Sequence, residues 1–144
     1  QTLKGSMSKI GEGEATLETF FDVKFIKNDS FKFQGIEIQT FAVKHTPNKP
    51  AYGICIGNKI LYTTDTTPIP EQIEKHTFEV CFHDVTLSDY NPVHATLDSI
   101  LVSYDKKTLE KMYLMSYEDN WLEFEEKVNK YFKGFAKEGD IFEF

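Results

Sequence analysis

The sequence predicts a mixed α/β fold: a mostly antiparallel sheet with helices on one face. Three observations carry this. Residues alternate with period two in two runs, Phe31 to Gln34 and Ile36 to Val43, separated by Gly35. The Gly57-Asn58 pair sits between the apolar runs Tyr52–Ile56 and Lys59–Thr63, a two-residue hairpin signal. After Asp65 the period lengthens, and short strands begin to alternate with helical segments.

Taken in order, Gln1 to Gly13 is polar and glycine-containing, with Leu3, Met7 and Ile10 spaced for a short helix before Gly11. Phe21–Ile26 alternates as a strand, and Asn28-Asp29-Ser30 reads as a turn. Phe31 and Phe33 form a second strand broken at Gly35. Ile36, Ile38, Thr40 and Ala42 line one side of a long strand ending near Lys44. Pro68 to Lys75 suits a short helix with proline in its first turn. Phe78–Phe82 is an apolar strand. Asn91 to Tyr104 reads as a helix, because Val93, Leu97, Ile100, Leu101 and Tyr104 fall on one face. Lys111–Leu114 is a further strand, Trp121–Phe132 an amphipathic helix, and Ile141–Phe144 a closing strand. The 144 residues suffice for a single domain with a core, residues 1–20 serving as a connecting segment.

Charge limits the partners. The formal net charge is −7 and every cation is a lysine, with no lysine run longer than Lys106-Lys107. Extended nucleic acid is therefore a disfavoured partner, since phosphate contacts demand a basic face. Cys55 and Cys81 lie in apolar runs and read as buried free thiols, which suits a reducing, cytoplasmic setting. No apolar run approaches the ~18 residues of a membrane span. The chain opens on Gln1-Thr2-Leu3 without methionine, as a fragment or processed product would.

The candidate chemistry gathers at strand ends. His45, His83 and His94 follow strands or precede helices, Asp65 directly follows a strand, and His76 precedes one in a polar context. Side chains at strand ends project into the crevice where α/β proteins build their sites. The order of segments is distinctive: Lys44-His45-Thr46-Pro47, then the hairpin into Tyr62-Thr63-Thr64-Asp65-Thr66, then His83-Asp84-Val85-Thr86, then His94-Ala95-Thr96.

From Asp22 to Asn120 this order resembles the C-terminal half of the metallo-β-lactamase superfamily, and within it the ribonuclease Z-like phosphodiesterases. The resemblance implies half of an αββα sandwich. It implies that His45 and Asp65 ligate zinc, or manganese, with the aspartate bridging two ions. His83–Thr86 and His94–Thr96 resemble that branch's His-Glu-Ala-Thr and His-Ser-Thr segments, which implies that Asp84 orients His94 as a general acid. The implied reaction is phosphodiester cleavage by metal-activated water, on a small or cyclic nucleotide given the acidic balance.

Two departures stand out. The family's His-x-His-x-Asp-His motif is absent and would lie before Gln1, so the metal site here is incomplete. Ser116 stands where the family's last metal-binding histidine is expected. Glu118 and Asp119 nearby read as a helix cap before Trp121 rather than as ligands. Two readings stay open: part of a metal-dependent hydrolase completed by an N-terminal half or a second chain, or a catalytically degenerate binding or assembly module. Either way, half of a sandwich exposes the inner face of its sheet, so a dimer or other partner is expected.

Overall fold

The computed structural model describes residues 9–10, 13–26 and 28–144. The expected mixed α/β architecture is present. Strands β1 (Lys9–Ile10) and β2 (Gly13–Glu14) form a small ladder, followed by the one-turn helix α1 (Leu17–Phe20). Seven further strands form one sheet in sequence order: β3 (Ser30–Phe33), β4 (Ile36–Val43), β5 (Ala51–Ile56), β6 (Ile60–Tyr62), β7 (Val80–Asp84), β8 (Met112–Met115) and β9 (Gly134–Phe135). The pairings from β3 to β6 are antiparallel and those from β6 to β9 parallel. A mostly antiparallel sheet is thus correct only for the first half. The parallel half follows from its connections, which are helical: α2 (Pro70–Ile73), α3 (Leu97–Ser103), α4 (Lys106–Leu109), and the 3₁₀ turn Trp121–Phe124 leading into α5 (Glu125–Tyr131).

The hairpin signal is realised as read. Gly57 and Asn58 have φ of +58° and +57°, and the Lys59 N–H donates to the Ile56 carbonyl at 3.0 Å. Two successive left-handed residues make the turn that matches strand twist, which explains the Gly-Asn pair.

Four expectations differ. Phe21–Ile26 forms no strand and has no sheet partner among the described residues, and Phe25 is 84% exposed. Of the segment read as a short helix, Leu3 and Met7 lie outside the described residues, while Ile10 pairs with Gly13 in a strand. Helix α3 starts only at Leu97, because the Thr96 hydroxyl caps it by accepting from the Ser99 N–H at 3.1 Å. Ahead of it, the Asn91 side chain accepts from the N–H groups of Val93 and His94, both at 3.0 Å, and holds an open loop. The closing strand is Gly134–Phe135, whereas Ile141–Phe144 is not a strand.

The core lies on one face of the sheet. Cys55, Leu61, Cys81 and Met112 are partners across four neighbouring strands, all essentially inaccessible. They pack against Ile73, Leu97, Ile100, Leu109 and Val128 from the helices, so the helices cover a single face. Cys55 and Cys81 are free buried thiols. Gly53 in β5 is required by packing, since an added Cβ would lie 2.4 Å from the Phe41 ring.

His83 belongs to this core rather than to a surface site. Its Nδ1–H donates to the Asp84 carbonyl at 2.6 Å. Its Nε2 accepts from the Tyr104 hydroxyl at 2.8 Å, and that hydroxyl accepts from the Ile69 N–H at 2.7 Å. Every polar atom of the ring is satisfied in its neutral form, and burial lowers its pKa to about 4.

The opposite face is only partly covered. Ile54, Tyr62, Phe82 and Tyr113 form the row one residue out of phase with the core row, and none belongs to the core. Tyr52 is 54% exposed on the same face. Phe142 covers a corner of it, with ring centroids 5.0 Å from Phe82 and 4.8 Å from Tyr113. An alternating strand puts residues i and i+2 on one face, so the apolar content of both phases demands a covering layer here too.

Two outcomes are expected. A protein made of these 144 residues alone should associate through the partly covered face and bind a hydrophobic dye. The double substitution Tyr52→Glu and Tyr62→Glu should reduce both, read by light scattering after gel filtration and by dye fluorescence. Second, His83 is depressed in the folded state, so its contribution to stability is complete above about pH 6.5, the ordinary histidine value, and is lost as pH falls towards about 4. The melting temperature should fall across that window, and His83→Gln should flatten this part of the profile.

Candidate metal centre

Strand direction decides where the candidate residues meet. Strands β4 and β6 run the same way because each is antiparallel to β5, and β7 and β8 are parallel to β6. The C-terminal ends of all four therefore lie along one edge of the sheet. His45 follows β4, Asp65 follows β6, Asp84 ends β7 and Glu118 follows β8.

His45, Asp65 and His94 come together at this edge. One potential ligand atom from each lies within 4.8 Å of the other two. The His45 and His94 ring centroids are 5.0 Å apart with a 63° interplanar angle, an edge-on rather than stacked approach. His45 Nε2 is 4.0 Å from an Asp65 carboxylate oxygen, beyond hydrogen-bond range. These two groups face each other without bonding directly.

Each imidazole is held by its other nitrogen. His45 Nδ1 is 3.1 Å from the Val93 carbonyl oxygen. A carbonyl can only accept, so Nδ1 carries the proton and Nε2 keeps its lone pair. His94 Nδ1 donates to the Asp84 carboxylate at 2.8 Å, which likewise leaves Nε2 as the free donor atom. This is the arrangement that fixes tautomer and ring orientation in metal-ligating histidines. Two imidazoles and a carboxylate also form a donor set suited to zinc, with manganese tolerated. The residues present fit a divalent transition metal.

Asp84 is fully buried. Burial pushes its carboxyl above the ordinary range, and the hydrogen bonds from the Thr66 N–H at 3.1 Å and from His94 oppose that shift. Asp84 and His94, named together from the sequence, are in hydrogen-bond contact. What differs is the company of His94, which is grouped with His45 and Asp65.

The loop bearing His94 is itself clamped. The Thr86 N–H donates to the Ala95 carbonyl at 2.8 Å, carrying the line of β7 alongside the His94–Thr96 segment. The Glu118 carboxylate accepts from the Thr86 hydroxyl and from the Leu87 N–H at 2.6 Å. Partial burial works to raise the Glu118 carboxyl, but these bonds and the nearby His94 hold it below its ordinary value. The cap role read for Glu118 is therefore corrected: its side chain reaches back to the loop after β7, and the 3₁₀ turn at Trp121 has no side-chain cap. Ser116 is exposed, with φ of +62°. His76 lies outside the cluster, its Nδ1 3.2 Å from the Gln39 side-chain oxygen and its ring against Phe41.

Sequence reasoning missed the threonines. Thr63 and Thr66 are both inaccessible. The Thr63 hydroxyl accepts from the Asp84 N–H at 3.2 Å, and the Thr66 hydroxyl accepts from the Lys44 N–H at 3.1 Å. The available signal was the run Thr63-Thr64-Asp65-Thr66-Thr67, four hydroxyls around one carboxylate at a strand end. Among the described residues no helix is long and apolar enough to cross a membrane.

Comparison with known proteins places the fold. A solved structure of a diphosphatase from the PhnP family, a metallo-β-lactamase-fold protein, superposes with a TM-score of 0.69 at 20% identity, covering 83% of this chain and 47% of that one. Among curated proteins, the anti-Pycsar protein Apyc1 of Paenibacillus harenae is 29% identical over 123 residues, which is 82% of this chain and 50% of that protein. The anti-Pycsar protein Apyc1 of Paenibacillus sp. (strain J14) is 30% identical over 125 residues, at 83% and 50%. That of Bacillus phage 010DV004 is 25% identical over 136 residues, at 85% and 52%. The chain spans about half the length of these relatives. The model of the anti-Pycsar protein Apyc1 family matches residues 1–142, and the chain belongs to that family.

Proposed function

We propose that residues 1–144 form one unit, with 1–20 as a connecting segment, that supplies half of the metal centre of a ribonuclease Z-like, metal-dependent phosphodiesterase. The observation that carries this is the convergence of His45, Asp65 and His94, with each histidine held through its second nitrogen. A histidine that ligates a metal through one ring nitrogen characteristically donates the other N–H to a carbonyl or carboxylate, as both do here.

Within this reading His94 is a metal ligand rather than a general acid. Its Nδ1 is committed to Asp84, so a single ring nitrogen remains, and one nitrogen cannot both hold a metal and deliver a proton. His94 then stands in for the histidine expected at Ser116. Asp84 acts as the orienting carboxylate and keeps the Nδ1 proton in place. Asp65 is more exposed than either histidine and would be available to a ligand set completed from outside these residues. A bound zinc or manganese ion would lower the pKa of a water molecule and polarise a phosphoryl oxygen. The remaining ligands come from the N-terminal half, or from a second chain.

The substrate in this proposal is a small cyclic nucleotide. The net charge of −7 and the scattered lysines oppose extended nucleic acid, and the anti-Pycsar name of the family is compatible with removal of a cyclic nucleotide.

The test is the metal content of the full-length protein, isolated without added metal, alongside hydrolysis of a cyclic nucleotide and of a chromogenic phosphodiester. Near-stoichiometric zinc or manganese is expected. Removing any one of the three ligands (His45→Ala, Asp65→Ala or His94→Ala) should weaken metal affinity by at least about tenfold. Full metal retention in His94→Ala with lost turnover would return His94 to the general-acid role. A metal-free intact protein would favour the degenerate binding module.

A further inference from the structure

The spacing between His45 and Asp65 is not set by a direct ladder between the strands that precede them. Strand β5 lies between β4 and β6, so no ladder bond joins the two strands that carry these side chains. Something else must span the gap across the end of β5. The bonds that do so come from Thr66 and its neighbour Thr67. The Thr66 hydroxyl accepts from the Lys44 N–H at 3.1 Å, lies 2.8 Å from the Thr67 carbonyl and is 3.3 Å from the Lys44 carbonyl. The Thr67 N–H donates to the same Lys44 carbonyl at 2.8 Å. On its other side, the Thr66 N–H donates to the carboxylate oxygen of Asp84 that also receives the His94 Nδ1 proton.

We infer that Thr66 is a positioning residue that sets the mutual geometry of His45, Asp65 and His94. It adjoins Asp65 in sequence, it bonds the residue preceding His45, and it shares the carboxylate that orients His94. The proposal rests on the metal-centre reading, which assigns the three side chains a common ligand. A buried hydroxyl needs partners wherever it lies. What distinguishes Thr66 is that its partners belong to two strands the sheet leaves unconnected. The loop is otherwise strained: Thr64, a β-branched residue, has φ of +57°, a conformation such residues rarely adopt. A strained loop holds its shape only when neighbouring bonds over-determine it. The Thr64 hydroxyl to the Tyr52 carbonyl at 3.0 Å, the Thr63 bonds and the Thr66 bonds supply that constraint.

The experiment compares Thr66→Val, which keeps the shape and removes the hydroxyl, with Thr66→Ser, which keeps the hydroxyl. Both are made in the full-length protein, with Thr66→Ala in reserve if the valine variant does not fold. Two readouts are taken: zinc affinity by competition with a chromogenic chelator, and the ring NMR signals of His45 and His94 in metal-free protein. Thr66→Val is expected to lose roughly ten- to a hundredfold in zinc affinity, the range seen when groups behind a ligand are removed. It should also shift or broaden both histidine signals. Thr66→Ser should stay within about threefold of the unaltered protein, with both signals in place. Unchanged affinity and unchanged signals in Thr66→Val, or a serine variant as impaired as valine, would overturn the proposal. If the unaltered protein binds no zinc while Thr66→Val still moves both histidines, the metal reading fails and the positioning role stands.

Discussion

The buried carboxylate of Asp84 is the interaction on which the site edge depends. A carboxylate removed from water is costly unless hydrogen bonds replace its solvation, and here one oxygen gathers both the Thr66 N–H and the His94 ring proton. That single oxygen therefore joins the loop after β6 to the loop after β7. The backbone of Asp84 extends the same junction, its N–H going to the Thr63 hydroxyl and its carbonyl accepting from His83. Through His83 and Tyr104 the connection runs on into the helix layer at Ile69. A polar line thus crosses the molecule from the open edge of the sheet to its core, while the other oxygen of Asp84 is buried without a hydrogen-bond partner.

Topology turns this local network into a site. Reversal at the β4–β5 and β5–β6 turns brings the C-terminal ends of β4 and β6 to the same edge, and the parallel connections that follow add β7 and β8. Had the chain continued as hairpins after β6, the ends of β7 and β6 would have faced opposite ways and Asp84 could not have met Thr66. The helical crossovers that make the second half parallel also supply the layer that buries Cys55, Leu61, Cys81 and Met112. The same packing that stabilises one face thereby orients the side chains at its rim.

The two faces of the sheet make different demands. The helix-covered face is closed and dry. The other presents Tyr52, Tyr62, Phe82 and Tyr113, with Phe142 over one corner. A chain that spans about half the length of its relatives, with a metal-type donor cluster at its edge and an apolar face beside it, has the form of one layer of a two-layer protein.

Much of this was legible in the sequence, because period-two alternation and a Gly-Asn turn are local properties of the chain. The strands from Phe31 to Thr63, the helix signals after Asp65, the candidates His45 and Asp65 and the pairing of Asp84 with His94 all came from residue order and its resemblance to a known family. Helix α3 was overextended because apolar spacing alone cannot see that Thr96 caps the helix and Asn91 holds the preceding loop open. Phe21–Ile26 alternates like a strand but finds no partner among the described residues, and pairing is a property of two segments rather than one. The sequence by itself determined which segments could form strands and which few histidines and aspartates lie at strand ends. Only the tertiary structure decided that His94 joins His45 and Asp65, that His83 is spent on the core, and that Thr66 bridges strands separated by β5, because each depends on distances between residues far apart in the chain.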